Sequence, residues 1–101
     1  MINRELLWIA FIVLEWQVRY LRDQDGREVD FVVLKERKPL FAVEVKLADT
    51  TLSPAITYFC KRVSIPRFYQ VVLGGTTRYG NAQEGGEVIP FIEWCKVLGL
   101  V

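Results

Sequence analysis

Two short segments of alternating character, joined by a turn, constrain the fold of this chain more than any other feature. They are Glu28–Leu34 and Phe41–Lys46. Alternate residues of a β-strand point to opposite faces of the sheet, so a period of two within a short apolar segment predicts a strand. The segment Glu36–Pro39 between them predicts a turn. In both strands the charged residues share one face: Glu28 and Asp30 in the first, Glu44 and Lys46 in the second.

The positions of these charges predict the register of the hairpin. If the turn is centred on Arg37, Asp30 lies opposite Glu44, and Glu28 lies opposite Lys46. Large apolar residues then meet on the other face of the pair. A slip of one residue would set the acids against that apolar face, so the pattern selects this register.

The predicted register brings two carboxylates together. Residues directly opposite each other have Cβ atoms only about 4.5–5.5 Å apart, and like charges so placed are destabilising. A hard divalent cation, Mg²⁺ or Mn²⁺, between Asp30 and Glu44 would compensate, and Lys46 would orient a water or neutralise charge on phosphorus. The alternative is a Glu28–Lys46 ion pair, with Asp30 and Glu44 facing solvent at a sheet edge.

A third strand extends the hairpin. Trp16–Arg22 alternates with the same period, and the Asp-Gly step in Asp23–Gly26 supplies the positive φ that a tight turn needs. We therefore expect an antiparallel meander in which Leu34 lies opposite Leu40. Its strands are Trp16–Arg22, Glu28–Leu34 and Leu40–Leu47.

A helix and a further strand follow the meander. Ser53 is a good N-cap and Pro54 suits the first helical position. An apolar stripe follows at helical spacing until Pro66, formed by Ala55, Ile56, Phe59, Cys60 and Val63. The next strand, Phe68–Leu73, is expected to lie parallel to a strand of the meander after a right-handed crossover.

The two ends of the chain complete the predicted order. Asn3–Val13 fits either a buried helix or a strand, and we favour the helix. Its apolar core, Leu6–Leu14, is shorter than the roughly 20 residues that span a bilayer, so no membrane segment is expected. Thr76–Glu87 is glycine-rich and predicts a loop, and Pro90–Leu98 predicts a closing helix that packs through Phe91, Ile92 and Leu98. The prediction is one α/β domain, residues 1–101, in the order α-β-β-β-α-β-α.

Composition removes several classes of enzyme. The chain has no histidine, which excludes Ser–His and Cys–His nucleophile systems and His-ligated zinc. A net charge of +1 argues against a protein that coats duplex DNA with a large basic surface.

Cys60 and Cys95 lack metal-site spacing and are too few for a secreted disulfide scaffold. Reduced thiols in the cytoplasm are the prediction, with a single disulfide as the alternative.

The same residues carry a resemblance. Tyr20–Val33 followed by Phe41–Leu47 resembles the C-terminal domain of a family of prokaryotic AAA-type ATPases, and the likeness continues through Ser53–Pro66 and Phe68–Leu73. That domain is of unknown function and is related to the PD-(D/E)xK nucleases and to Holliday-junction resolvases. The resemblance implies a restriction-endonuclease-like α-β-β-β-α-β core.

The resemblance also implies roles for individual residues. Asp30 and Glu44 would be metal ligands, and Lys46 would be the catalytic lysine. Glu28 matches the Glu-Val-Asp of the family without being a standard nuclease position. Nucleases of this kind take another acid from the first helix, where Glu5 is the candidate and Glu15 stands behind it. The chain has no G-x-x-x-x-G-K-[ST] phosphate loop, so the ATPase module itself is absent and the domain is detached, degenerate or part of a longer protein.

Two functions are therefore expected as alternatives. One is a Mg²⁺- or Mn²⁺-dependent nuclease that acts on DNA, and the other is a catalytically silent interaction or regulatory domain normally attached to an AAA-type ATPase. Tyr58, Lys61 and Arg62 on the crossover helix would either reach phosphate or form its solvated side. A homodimer is a further option. If the two carboxylates repel each other, Asp30→Asn should raise the stability of the metal-free protein.

Overall fold

A computed structural model of the chain describes residues 16–100. Within this range one mixed six-stranded sheet, of strand order β1-β2-β3-β4-β6-β5, carries two helices. The strands are β1 (Trp16–Arg22), β2 (Glu28–Lys35), β3 (Lys38–Lys46), β4 (Phe68–Val72), β5 (Tyr79–Asn81) and β6 (Gly86–Pro90); the helices are α1 (Pro54–Cys60) and α2 (Phe91–Val97). The expected first helix Asn3–Val13, the apolar run Leu6–Leu14, and Glu5 and Glu15 lie outside the described residues.

The predicted meander is confirmed, with a correction at its second turn. β1 pairs antiparallel with β2, and β2 pairs antiparallel with β3. The expected register holds in the middle of the hairpin, where Val32 lies opposite Ala42. Towards the turn the register shifts, so that Leu34 lies opposite Pro39 and not opposite Leu40 as predicted.

The geometry of the turn causes this shift. Glu36 and Arg37 alone connect the two strands, with φ values of 52° and 69°. Two consecutive positive φ angles are typical of the tight hairpin turn whose twist matches that of the strands. The sequence has no glycine at either position to indicate it. Leu40 becomes an extra residue of β3, and beyond it the strands resume the predicted pairing.

A second irregularity lies on the other side of β2. Arg19 pairs with Val32 and Leu21 pairs with Val29, so Tyr20 alone faces two residues of β2, Asp30 and Phe31. Such a β-bulge bends its strand and re-aims a side chain, and bulges are over-represented beside active sites. The bulge therefore changes the direction of β2 at one of the predicted metal ligands.

The crossover after the meander also follows the prediction. The Ser53 hydroxyl accepts a hydrogen bond from the Ala55 N–H at 3.2 Å and caps α1. The helix is shorter than the apolar stripe suggests and ends at Cys60. β4 then runs parallel to β3, as expected, with Glu44 opposite Gln70.

The predicted loop Thr76–Glu87 is wrong in part, because it contains β5 and the start of β6. β6 pairs parallel with β4 and antiparallel with β5. Its first residue, Gly86, has φ 106°, and a Cβ there would lie 2.6 Å from the Ile56 side chain. Glycine is thus required where β6 passes under α1. Local signals treat such a glycine as a strand breaker, whereas here the close approach of two elements selects it.

Each face of the sheet carries its own core. α1 covers one face, on which Val29, Val32, Ala42, Ile56, Phe59 and Phe68 pack together. α2 covers the other face through Trp94 and Cys95, in a cluster that includes Val43 and Tyr69. Ile92 does not pack as predicted and is exposed. Cys60 and Cys95 are free thiols. Neither of the described helices has the length and apolar character needed to cross a bilayer.

The hairpin turn yields the first prediction. A non-glycine residue in the left-handed region costs about 1–2 kcal/mol of folding free energy. Glycine removes this strain, but it also raises the conformational entropy of the unfolded chain, which offsets part of the gain. Arg37→Gly should therefore raise the free energy of unfolding by about 0.5–1 kcal/mol in urea titration. Arg19→Gly, within a strand, is the control and should lower it. Equal losses in both variants would contradict the turn geometry.

Candidate metal site

Glu44 is a carboxylate in the interior of the sheet. β3 lies between β2 and β4, and the neighbours Val43 and Val45 pack in the cluster beneath α2. Alternation along the strand therefore directs Glu44 to the face that α1 covers. The residue is only 8% exposed. Its Oε2 atom has no hydrogen-bond partner among residues 16–100, although buried polar atoms are almost always paired.

Lys46 is the cation beside this carboxylate. Its Nζ lies 3.7 Å from Glu44 Oε2, which is within ion-pair distance but long for a hydrogen bond. Its side chain remains 37% exposed, whereas the side chain of Glu44 is only 10% exposed. The two side chains thus form a half-open pair at the carboxyl end of β3. This juxtaposition is the one that the Glu-x-Lys spacing predicts for a shared strand face.

Asp30 approaches the same strand from the bulge of β2. The residue pairs between β2 and β3 end at Phe31 and Val43, one step short of Asp30 and Glu44. Beyond this point the half-buried Asp30 side chain, in place of the β2 backbone, contacts β3: its Oδ2 accepts a hydrogen bond from the Val45 N–H at 2.8 Å. One carboxylate oxygen of Asp30 is therefore engaged by the backbone next to Glu44. Its other oxygen has no protein donor among the hydrogen bonds described for residues 16–100.

Glu28 has a different partner from the predicted one. It was expected opposite Lys46, but the pairing of β2 with β3 does not extend that far within the described strands. Glu28 lies instead opposite Arg22 on β1, with its carboxylate 3.9 Å from the guanidinium, and both side chains are more than half exposed. Beyond the bulge β2 stays paired with β1 but has no described pairing with β3, and Glu28 lies exposed at this end of the strand.

The turn before β2 is held by charge. The Asp23 carboxylate accepts a hydrogen bond from the Arg27 guanidinium at 2.8 Å, and it also accepts hydrogen bonds from the backbone N–H groups of Asp25 and Arg27. Desolvation acts to raise the pKa of Asp23, but these hydrogen bonds outweigh it and the pKa is lowered. The turn therefore orders the chain at the start of β2, two positions before Asp30, and this ordering is lost as the Asp23 carboxylate protonates in acid.

The described residues supply two carboxylates and no more at this site. Between residues 16 and 100, no group of three or more acidic or cysteine side chains is placed to hold a metal ion. The predicted contribution of Glu5, or of Glu15 behind it, lies outside the described residues. The structure thus brings Asp30, Glu44 and Lys46 to neighbouring backbone positions, and it places Glu28 elsewhere.

Gln70 is the residue of this region that sequence reasoning missed. It was assigned only to a packed strand, yet its fully buried amide holds the loop between β3 and α1. Its Oε1 accepts the Ser53 N–H at 2.7 Å, and its Nε2 donates to the carbonyls of Asp49 at 3.1 Å and Thr51 at 2.8 Å. The signal was a lone glutamine in the apolar segment Phe68–Leu73. Such a residue must find partners for its amide when it is buried.

Comparison with known proteins gives a family match over most of the chain. Residues 8–94 match the family model described as a domain of unknown function (DUF4143). The matched range includes the whole sheet together with Asp30, Glu44 and Lys46. No curated protein and no solved structure matches the chain.

The position of Asp30 yields the second prediction. Asp30→Ala removes the acceptor of the Val45 N–H and should cost about 1–3 kcal/mol, because a buried donor is left unpaired. Asp30→Asn can keep that bond through its amide oxygen while removing a negative charge beside Glu44. Its metal-free stability should equal or exceed that of the wild type in denaturant titration with EDTA.

Glu84→Gln, at an exposed carboxylate in the loop between β5 and β6, is the control and should be neutral within about 0.5 kcal/mol. A clear loss of stability in Asp30→Asn would mean that the negative charge of Asp30 is itself structural. That outcome would contradict a metal-ligand role.

Proposed function

The chain belongs to the DUF4143 family of domains of unknown function, and on that premise we propose that it is a metal-dependent nuclease acting on DNA. The observation that carries the proposal is the buried Oε2 of Glu44, which has only the distant ammonium of Lys46 to compensate it among the described residues. Natural proteins rarely leave a buried charge so poorly paired, and such atoms call for a specific explanation. A bound cation is the explanation that the neighbouring groups favour.

The residues at the site fit a hard divalent cation. Mg²⁺ prefers oxygen ligands and is usually held by one or two carboxylates together with water and substrate phosphate. Glu44 offers an unpaired oxygen, and Asp30 offers the oxygen that Val45 does not engage. Glu5 would supply a further carboxylate under the same proposal. Glu28, which was a ligand candidate in the sequence, is paired with Arg22 and is the weakest member of the set.

Each protein group then has a defined task. A bound Mg²⁺ or Mn²⁺ would activate water and neutralise phosphate oxygens. Asp30 and Glu44 would hold the ion, and the bond from Val45 to Asp30 fixes the direction of that carboxylate. Lys46, whose side chain is partly exposed, would neutralise the negative charge that develops at phosphorus. The absence of histidine leaves lysine and the carboxylates as the proton-handling groups of the site.

The order of elements supports the same proposal at the level of fold. Three antiparallel strands, a helix and a parallel strand follow one another, as in the PD-(D/E)xK core that the sequence resembles. We propose that the domain is a member of this nuclease superfamily. It would act in the cytoplasm, alone or with an AAA-type ATPase module.

A second candidate function has its own support. Asp30 already accepts a backbone hydrogen bond, and Glu44 already has an ion-pair partner. Both contacts would persist in a domain that has lost catalysis and serves as an interaction or regulatory partner of an ATPase. The two functions differ in whether the carboxylates bind metal, which the third prediction tests.

The third prediction concerns metal binding. Millimolar Mn²⁺ should raise the melting temperature of the wild type, because a ligand that binds only the folded state stabilises it by about 2.7 kcal/mol at a hundredfold excess over Kd. Glu44→Gln keeps the shape of the side chain and should abolish the response. Glu84→Gln should retain it. An unchanged melting temperature of the wild type would favour the second candidate function.

The fourth prediction concerns catalysis. With Mn²⁺ or Mg²⁺ the wild type should cleave linear or branched DNA, and Lys46→Ala should lower the single-turnover rate by about a hundredfold or more. Lys96→Ala, an exposed lysine on α2, should cleave at the wild-type rate. Metal binding without cleavage of any DNA would reject the nuclease and leave a metal-binding regulatory domain.

A further inference from the structure

A shallow cleft runs along the exposed side of α1, beyond the loop that leaves Lys46. It is lined by Leu52, Pro54, Thr57, Tyr58, Lys61 and Arg62. The lining contains two cations and no acidic residue. Neither Lys61 nor Arg62 has a carboxylate within ion-pair distance in the part of the chain that the structure describes. The cleft therefore presents uncompensated positive charge beside the apolar side chains of Leu52 and Pro54.

Arg62 is held in place for this role. Its guanidinium stacks on the Tyr58 ring, with Cζ 3.8 Å from the ring centroid. Its Nη1 donates to the Tyr58 carbonyl at 3.0 Å. The remaining N–H groups of the guanidinium stay available to an external acceptor. An arginine restrained in this way loses less side-chain entropy when it binds phosphate than a freely rotating one.

The other face of Tyr58 provides a contrast. Arg27 stacks there, with Cζ 4.0 Å from the ring centroid. Arg27 is neutralised by Asp23 at 2.8 Å and by Asp25 at 3.1 Å, and both acids line the depression on that side. The charge that can attract a polyanion is thus confined to the Arg62 side of the ring.

The cleft is tied to the candidate metal site by a loop with fixed ends. Leu52 follows Lys46 by six positions, so the two lie at most about 20 Å apart. Gln70 holds the loop from the sheet, and the Tyr79 hydroxyl donates a hydrogen bond to the Thr50 carbonyl. At about 3.4 Å per nucleotide along a strand, the separation corresponds to roughly six nucleotides or fewer. Glu44 and the cleft also lie on the same, α1-covered face of the sheet.

We propose that this cleft binds the phosphodiester backbone of a DNA strand whose scissile phosphate lies at Lys46. Lys61 and Arg62 contact phosphates without reading bases, so binding is independent of sequence. The proposal rests on the proposed function, because that function supplies DNA as the substrate. It adds the surface that holds the strand away from the reacting phosphate.

Binding is measured without cleavage, by fluorescence anisotropy of labelled single-stranded and duplex DNA in EDTA and again in Ca²⁺. Lys61→Ala/Arg62→Ala should weaken binding by about tenfold for whichever form of DNA the wild type prefers. Each lost phosphate contact should also reduce the slope of log affinity against log salt by about 1. Lys35→Ala/Lys96→Ala is the matched control, because it removes the same charge from the end of β2 and from α2. Melting curves verify that both double variants are folded.

The outcomes separate this proposal from the proposed function. Selective loss of affinity in the cleft variant supports the cleft, even when the wild type cleaves no DNA with Mn²⁺. Equal losses of DNA affinity in the two double variants would mean that only the net charge of the protein matters. That result would overturn the proposal that the cleft binds DNA. If the wild type cleaves DNA and the cleft variant binds DNA as tightly as the wild type, the proposal that the cleft binds DNA is overturned. The proposed nuclease function would then still stand. Absence of DNA binding by the wild type overturns the cleft as well, and would favour a protein partner for this face.

Discussion

The burial of Glu44 in the middle of the sheet is the constraint on which the rest of the candidate site depends. Its neighbours Val43 and Val45 are committed to the core beneath α2, so the strand must turn the carboxylate towards α1. A buried charge without partners is costly, and Lys46 at 3.7 Å is a weak compensation. Lys46 is therefore the described group that offsets the charge of Glu44, and it does so only in part.

Two departures from regular pairing frame the site on β2 and β3. The bulge opposite Tyr20 redirects β2 at Asp30, and the extra residue Leu40 absorbs the tight turn at the other end of the hairpin. Between them the pairing is regular. Where the pairing stops, the Asp30 carboxylate replaces a backbone acceptor for the Val45 N–H. The site therefore lies where the described pairing between β2 and β3 ends.

Gln70 connects this opening with the proposed DNA surface. It stands beside Glu44 in the neighbouring strand, and its amide binds three backbone groups of the loop that leads to α1. A fully satisfied buried amide of this kind rigidifies its surroundings. The same loop ends at Ser53, which caps the helix that carries Tyr58, Lys61 and Arg62. One side chain thus relates the orientation of α1 to the position of Glu44 and Lys46.

Much of the architecture could be predicted because its signals are local. The period of two in β2 and β3, the Ser-Pro start of α1, and the strand–helix–strand order predicted the meander, the cap and the parallel β4, and all three are present. The predicted register holds from Phe31 to Val33, but the charged pairs from which it was predicted lie beyond the end of the ladder. The sequence did not predict β5 and the start of β6, because glycine at position 86 indicates a loop. The glycine is needed because Ile56, far away in the sequence, packs against this position.

Alternation along β3 was enough to predict that Glu44 and Lys46 lie side by side. In β2 the same reasoning failed at Val29, which the bulge places on the α1-covered face, away from Phe31 and Val33. The contacts of the candidate residues depend on the folded structure: Asp30 contacts the Val45 N–H, Glu28 the guanidinium of Arg22, and Gln70 the loop before α1. Alternation is a property of one strand. The partner of a carboxylate or an amide depends instead on bulges and close approaches that arise when separate elements pack.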